Sequence, residues 1–548
     1  MKNIGQKIIS FALIGSLTAG SFAFAAREEE KEKQKSKPIK NVIMMVMDGT
    51  SAGATTLARW YKGEPLALDE MASGAVRTYS AESAITDSAP AATAMATGFK
   101  SNDKYIGILP SVVNSPSVPS ISKERAMKPV ANVLEGAELM GKATGIIATS
   151  AIQHATPAGF SAHVKHRNLF PDIAEQQVYQ NIEVVLGGGK EALLPGSGTN
   201  NRKDNENMLE VIKKKGYDVV ETRDELLRST SDKIWGVFAD DALAQDMNRP
   251  YTRPNEPTLA EMTKKAIDTL SKDKDGFFLF VEGSQPDWAA HANDPVGIIS
   301  EVLAFDKAVA EALSFAKKRN DTLVIAVTDH GNSGITIGNR NTDQSYPETP
   351  VSAYIDPLKK AKMTLEGAMS QLKADKSNLE EVARLYGLDS LTADEKKKLN
   401  ESKDLRKTLT ELLAARANLG FTTSGHTGED VFLYTYGPNR PIGTFENTDL
   451  AHIMAKAMGF QLNDLNKRLF VNAKEKFAAI GATVTIDNTD AQNPKLIVKK
   501  GETVAEFPAN KNIMIVKNKT YELEGLVVYS AEQFWIPKQA VKLFKQIQ

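Results

Sequence analysis

The stretch NVIMMVMDGTS, residues 41–51, decides the fold. Six apolar residues follow Asn41 without a break, and the run stops at Asp48-Gly49. A short continuous apolar run closed by a turn signal reads as a strand buried on both faces, as in sheets covered by helices on both sides. Similar runs recur as ATGIIATS (143–150), GFFLFVE (276–282), DTLVIAVT (321–328) and VFLYTYG (431–437), with amphipathic helical stretches between them. This alternation predicts an α/β fold with a central, mostly parallel sheet and helices on both faces.

Outward from that frame the texture changes three times. Residues 355–420 are rich in Lys, Glu and Leu at helical spacing, and TADE (392–395) has the form of a capping box. This region reads as a helical insertion covering a sheet edge or the site, or as a plain surface elaboration. From 480 to 548, short strand-like runs (ATVTIDN, KLIVKKG, NIMIVKN, GLVVYS) are separated by Asn, Gly and Lys turns and read as a small C-terminal β module. The intervening segment, 41–475, reads as one catalytic domain. At the other end, Lys2 and Lys7 precede an apolar stretch and Ala23-Phe24-Ala25, the pattern of a signal peptide spanning 1–25. A charged linker, 26–40, follows. The expected location is therefore outside the cytoplasm, secreted or held in the periplasm or cell envelope, with no transmembrane segment after cleavage.

Of 548 residues, 42% are hydrophobic and 25% charged, the balance of a globular protein with a large core. Lys and Arg number 67 against 68 Asp and Glu, so no global field favours nucleic acid as a specific partner. There is no cysteine, which excludes thiolate nucleophiles, thiolate metal ligands and disulfides.

The chemistry-bearing residues gather at predicted strand ends. Asp48 closes the first run, and Glu282 ends GFFLFVE. Asp329 and His330 follow DTLVIAVT, and His426 sits in the Gly-flanked SGHTG. Asp287 and His291 are four apart, so on a helix they share a face and suit one cation. Singly, each has a plainer reading as a turn, a helix-surface pair or a loop hydrogen bond. Together they are a metal-capable set in the place where open α/β sheets bind ligands. TDSAPAATAMATG (86–98) adds an acid and a hydroxyl, Asp87 and Ser88, at the mouth of a small-sided helix, where Ser88 could equally serve as an N-cap. His163, His166 and His452 read as structural or solvated side chains.

In order and content, MDGTS (47–51), TDSAPAATAMATG, QHATPAGFSAHVKHR (153–167), VEGSQPDWAAH (281–291), TDHG (328–331) and SGHTG (424–428) resemble the motifs of alkaline phosphatases. The resemblance implies hydrolysis of phosphate monoesters through a phosphoserine on Ser88, with Asp87 orienting Arg167, which grips the phosphoryl group. It implies two zinc ions, one held by Asp48, Asp329 and His330 and one by Asp287, His291 and His426. A third site of Asp48, Glu282 and Thr156 takes magnesium, with cobalt or zinc as replacements. His154 and Trp288 stand beside that third site, where the best-known bacterial member has Asp and Lys. A homodimer is left open. A metal-dependent phosphodiesterase or phosphonate hydrolase is the alternative enzyme, and a secreted surface-binding protein the alternative outside catalysis.

Overall fold

A computed structural model describes residues 39–548, so the signal peptide and the linker up to residue 38 lie outside the described residues. Ten strands form the main sheet: β1 (Asn41–Met47), β2 (Ala72–Arg77), β3 (Ala143–Ala151), β4 (Val184–Gly188), β5 (Asp218–Val220), β6 (Ile234–Val237), β7 (Phe277–Gly283), β8 (Thr322–Val327), β9 (Val431–Tyr436) and β10 (Gly443–Glu446). Their order is β10-β2-β9-β8-β1-β7-β3-β4-β6-β5. Every pairing is parallel except the two made by β9, which runs antiparallel to β8 and β2.

β1 is buried along its whole length. Successive side chains of a strand point to opposite faces, and here each face finds a different core. Ile43, Met45 and Met47 pack with the helices Leu259–Leu270 and Pro295–Arg319. Val42, Met44 and Val46 pack with the helices Ser88–Thr97, Val133–Leu139 and Asn447–Met458. That double cover is why the run is apolar without alternation.

Between β8 and β9 the chain forms the helices Ser352–Lys359, Leu365–Ser370, Leu379–Leu385, Ala393–Asn400 and Leu405–Arg416. The capping box at TADE is present: Thr392 Oγ1 accepts from Glu395 N at 3.2 Å, and Glu395 Oε2 accepts from Thr392 N at 2.8 Å. At the C-terminus, strands between Thr483 and Glu522 make a five-stranded antiparallel sheet. It has its own core around Phe477, Phe507 and Phe544.

This small sheet is tied to the main body by polar contacts. Asn510 Nδ2 donates to Asp172 Oδ1 at 2.9 Å, and Lys511 Nζ lies 3.0 Å from both Glu175 Oε1 and Glu206 Oε1. The Glu175 side chain is 2% exposed. Lys511→Ala leaves that carboxylate with Arg202, 3.6 Å away, as its remaining cation. Stripping one partner from a buried ion pair is expected to cost about 3 kcal/mol, the low end of the usual range because Arg202 remains. A thermal scan should show a lower midpoint, with kcat per folded molecule unchanged.

Candidate active site

Three carboxylates meet where β8, β1 and β7 end side by side. Val46 is in register with Glu282 on one side and Val327 on the other, so the strand ends lie level. Asp48 and Glu282 are fully buried and Asp329 nearly so. Gly49 turns the chain at φ +61°, and its N–H donates to Asp329 Oδ1 at 3.1 Å. A Cβ at Gly49 would stand 2.2 Å from Asp287 Oδ1, so only glycine lets the fourth acid approach.

Ser88 is the first residue of the helix Ser88–Thr97, and its N-cap is Asp87 rather than Ser88 itself. Asp87 Oδ2 accepts from Ala89 N at 3.3 Å. The same carboxylate takes Arg167 Nη1 at 2.6 and 2.7 Å. Capping and arginine-holding are thus both done by one side chain. The Ser88 hydroxyl is thereby freed from capping, and its Oγ lies 3.2 Å from His330 Nε2. Positive potential at the helix N-terminus and the Arg167 guanidinium give this corner its affinity for an anion.

The histidines form a chain of contacts. His330 stacks on His426 with ring centroids 3.6 Å apart, and His426 Nε2 lies 3.2 Å from His291 Nε2. His291 Nδ1 is bonded to the Ser424 carbonyl at 2.7 Å, and His426 Nδ1 to the Thr86 carbonyl at 2.8 Å. A carbonyl only accepts, so both Nδ1 atoms carry the proton. In the neutral rings two Nε2 lone pairs then face each other, an arrangement that asks for a cation between them. Asp287 completes this group, with Oδ2 3.4 Å from His291 Nε2 and Oδ1 3.7 Å from His426 Nε2. A second group, Asp48, Asp287 and His330, brings its ligand atoms within 4.8 Å of one another, and Asp329 Oδ2 lies 3.2 Å from His330 Nε2. Asp287 therefore belongs to both groups. Thr156 Oγ1 donates to Asp48 Oδ2 at 3.4 Å, and Ser150 Oγ donates to Glu282 Oε2 at 3.4 Å.

Asp48 Oδ1, Glu282 Oε1 and Asp329 Oδ2 are buried without a hydrogen-bond partner, and among the described residues the first and last have only His330 Nε2 as an ion-pair partner, at 3.6 and 3.2 Å. Orphaned anionic oxygens of this kind are costly unless cations meet them. The electrostatics agree. Burial, reinforced by Asp329, Asp287 and Glu282, drives the Asp48 carboxyl far above its usual range. Burial likewise pushes Glu282 up to about 7. Burial pulls against a charged His330, yet the Asp329 carboxylate beside it holds the imidazole up at about 9. The donor set of carboxylates and imidazoles without thiolates fits zinc and, at the oxygen-only corner, magnesium.

His154 Nε2 lies 3.2 Å from Arg167 Nη2, and its ring meets Trp288 edge-on at 5.8 Å. Burial and the neighbouring guanidinium lower His154 to about 4, so the ring is neutral. His163 is structural rather than solvated. It is buried, bonded through Nδ1 to the Gly107 carbonyl at 2.8 Å and through Nε2 to Glu135 at 3.0 Å. His452 is exposed on the helix Asn447–Met458, away from these contacts. One residue that orients the site was not foreseen. Asn332 Nδ2 donates to Asp287 Oδ1 at 2.7 Å, two positions after His330 in the same loop.

An open α/β sheet that gathers carboxylates, imidazoles and a helix-borne serine at its strand ends defines a metal-dependent hydrolase. The family model of alkaline phosphatases matches residues 39–460. Alkaline phosphatase 3 of Bacillus subtilis (strain 168) is 35% identical over 492 residues, covering 84% of this chain and 99% of that one. The crystal structure of Thermus thermophilus alkaline phosphatase superposes with a TM-score of 0.67 at 27% identity, over 78% of this chain and 92% of that one. A His-to-Asp variant of the alkaline phosphatase TAB5 with Mg bound in its M3 site aligns at a TM-score of 0.56 and 26% identity, covering 78% of this chain and all of that one (100%). The chain belongs to the alkaline phosphatase family, and its activity is the hydrolysis of phosphate monoesters.

Proposed function

We propose that the reaction runs through a phosphoserine on Ser88 and is assisted by three metal ions. Asp48, Asp329 and His330 would hold one zinc, Asp287, His291 and His426 a second, and Asp48, Glu282 and Thr156 a magnesium that cobalt or zinc can replace. The observation that carries the reading is the Ser88 hydroxyl at 3.2 Å from His330 Nε2, beside buried carboxylate oxygens that have no hydrogen-bond partner. Bound zinc supplies the Lewis acidity that makes a serine hydroxyl nucleophilic near neutral pH and offsets charge on a departing oxygen.

The protein's own residues do the positioning. Arg167 has five N–H donors. Asp87 takes Nη1 and His154 faces Nη2, which leaves the Nε–H and the second Nη2 N–H for the phosphoryl oxygens. Ser88 Oγ attacks phosphorus in line, the bond to the ester oxygen breaks, and the alcohol leaves with a proton. Water then attacks the phosphoserine, inorganic phosphate departs, and the Ser88 hydroxyl is restored. With the N-terminal signal pattern, this chemistry is assigned to the outside of the cytoplasm, secreted or in the cell envelope. No described helix is long and apolar enough to cross a membrane. The test combines zinc analysis of the purified chain with turnover of mono- and bis-nitrophenyl phosphate. Preference for the diester, or activity with verified absence of zinc, would overturn the reading.

His154 and Trp288 set the third site apart. Aspartate in place of His154 adds a negative charge next to Arg167 and close to Thr156, and lysine in place of Trp288 adds a cation next to Asp287. His154→Asp combined with Trp288→Lys should tighten magnesium binding about tenfold and strengthen inhibition by phosphate. In the TAB5 enzyme, the variant with the same kind of exchange, His to Asp, has Mg bound in its M3 site. Titration calorimetry with magnesium and a phosphate Ki decide it. Unchanged values in both would remove these residues from any role in metal choice.

A further inference from the structure

We propose that the cavity between His291 and the helix Leu405–Arg416 seats the alcohol half of the substrate, and that it takes a neutral, ring-bearing alcohol of nucleoside size. This rests on the in-line reaction at Ser88 described above. The chain of contacts runs from Ser88 to His330, then His426, then His291. In-line displacement sends the leaving oxygen away from Ser88, along that chain. His330 is fully buried, whereas the His291 side chain is 42% exposed, so the His291 end is where the site opens.

A cavity of about 660 Å³ lies there, with His291 in one wall and Ala415, Phe421 and Thr423 among the residues of the others. That volume is in the range of sites that enclose drug-sized molecules, and a methyl or glycerol group would leave most of it empty. The charges at its rim cancel: Arg406 and Lys407 stand with Asp404 and Glu411. Lys407 Nζ is 3.9 Å from Glu411 Oε1, and Arg406 is paired to Glu366. Such a rim gives no net attraction to an ionic alcohol. Half-buried Phe421 supplies an aromatic surface for a flat ring, and Thr422, Thr423 and Ser424 supply exposed polar groups. The helix that builds the far wall belongs to the 355–420 region, so that region shapes specificity as well as covering the surface.

The test uses the full chain with its metals and two probes, adenosine 5′-monophosphate and glycerol 1-phosphate. Ala415 is exposed on its helix, so Ala415→Trp fills the cavity without entering the core. Wild type should favour the nucleotide by about tenfold in kcat/KM. Ala415→Trp should lower kcat/KM for the nucleotide about tenfold and leave that for glycerol 1-phosphate within about twofold. Phe421→Ala should raise KM for the nucleotide alone. Equal wild-type values for the two esters, equal losses on both in Ala415→Trp, or no loss on either would overturn the proposal while leaving the reaction at Ser88 standing. A wild-type enzyme that turns over neither ester would overturn the reading of the site itself.

Discussion

Ser88→Ala is expected to lower kcat by at least about 10³-fold, a loss of roughly 4 kcal/mol of transition-state stabilisation, while the fold and metal content stay intact. The reason for the second half is structural. Asp87, not Ser88, caps the helix, and Ala89, Ala91, Ala92 and Ala94 show how readily the segment accepts alanine. The variant loses one hydroxyl and leaves Asp87, Arg167 and His330 in their contacts. Residual turnover would then come from water attacking the bound ester directly. The decisive measurement is an acid quench with labelled substrate, which should trap phosphoserine in the parent and none in Ser88→Ala. A variant with near-normal turnover, from a parent that yields no trapped adduct, would refute the assignment.

Why the serine could be singled out at all bears on what a sequence can carry. β1, β7 and β8 were legible because burial on both faces leaves an uninterrupted apolar run, whereas β3 is buried but broken by Thr and Gly, and β9 shows an apolar run although Phe432 is exposed. The acids at their ends were legible for the opposite reason, since a charged group directly after such a run is costly unless something meets it. β2 and the two edge strands, β5 and β10, were not. β2 reads ASGAVR, β5 DVV and β10 GTFE, with few apolar side chains. The extended state of β2 and β10 comes from pairing with neighbours that lie far away in sequence, as β2 does with β9 and β10. Likewise in the small C-terminal sheet, Thr503–Pro508 and Lys519–Glu522 gave no clear run of their own and are strands through their partners.

The same division holds inside the site. Residue types and their spacing could nominate Asp287 with His291, because four residues make a helical turn. No spacing joins Asp87 to Arg167, or His154 to Arg167, and these contacts exist only once two separate loops are folded together. The tautomers of His291 and His426 are fixed by the carbonyls of Ser424 and Thr86, backbone groups that any sequence would supply. Asn332 was nominated by nothing except its place two residues after His330. The Ser88 environment was therefore readable in its chemical types, and its geometry was not.

Metal removal is expected to have the other large effect, on stability as well as turnover. Asp48, Glu282, Asp287 and Asp329 are all buried, and three of them present an oxygen with no hydrogen-bond partner. Arg167 is bonded to Asp87 outside this group, so the imidazoles are the cations at hand for four clustered carboxylates. The ligands also come from distant segments: residue 48 after β1, 287 and 291 after β7, 329 and 330 after β8, and 426 before β9. Ions that bind these groups only when they are brought together stabilise the folded chain by mass action, about 4 kcal/mol at a thousandfold excess over Kd. With no disulfide to share that role, a chelated sample should melt well below the loaded one and recover on addition of zinc. Asp287→Asn should reproduce much of the effect, because Asp287 contributes to both groups of ligand atoms. Its zinc content should fall by about one equivalent per chain, a result readable by elemental analysis without any activity assay. An unchanged melting curve after verified metal loss, or a full zinc complement in Asp287→Asn, would show that the carboxylates are held by the fold alone.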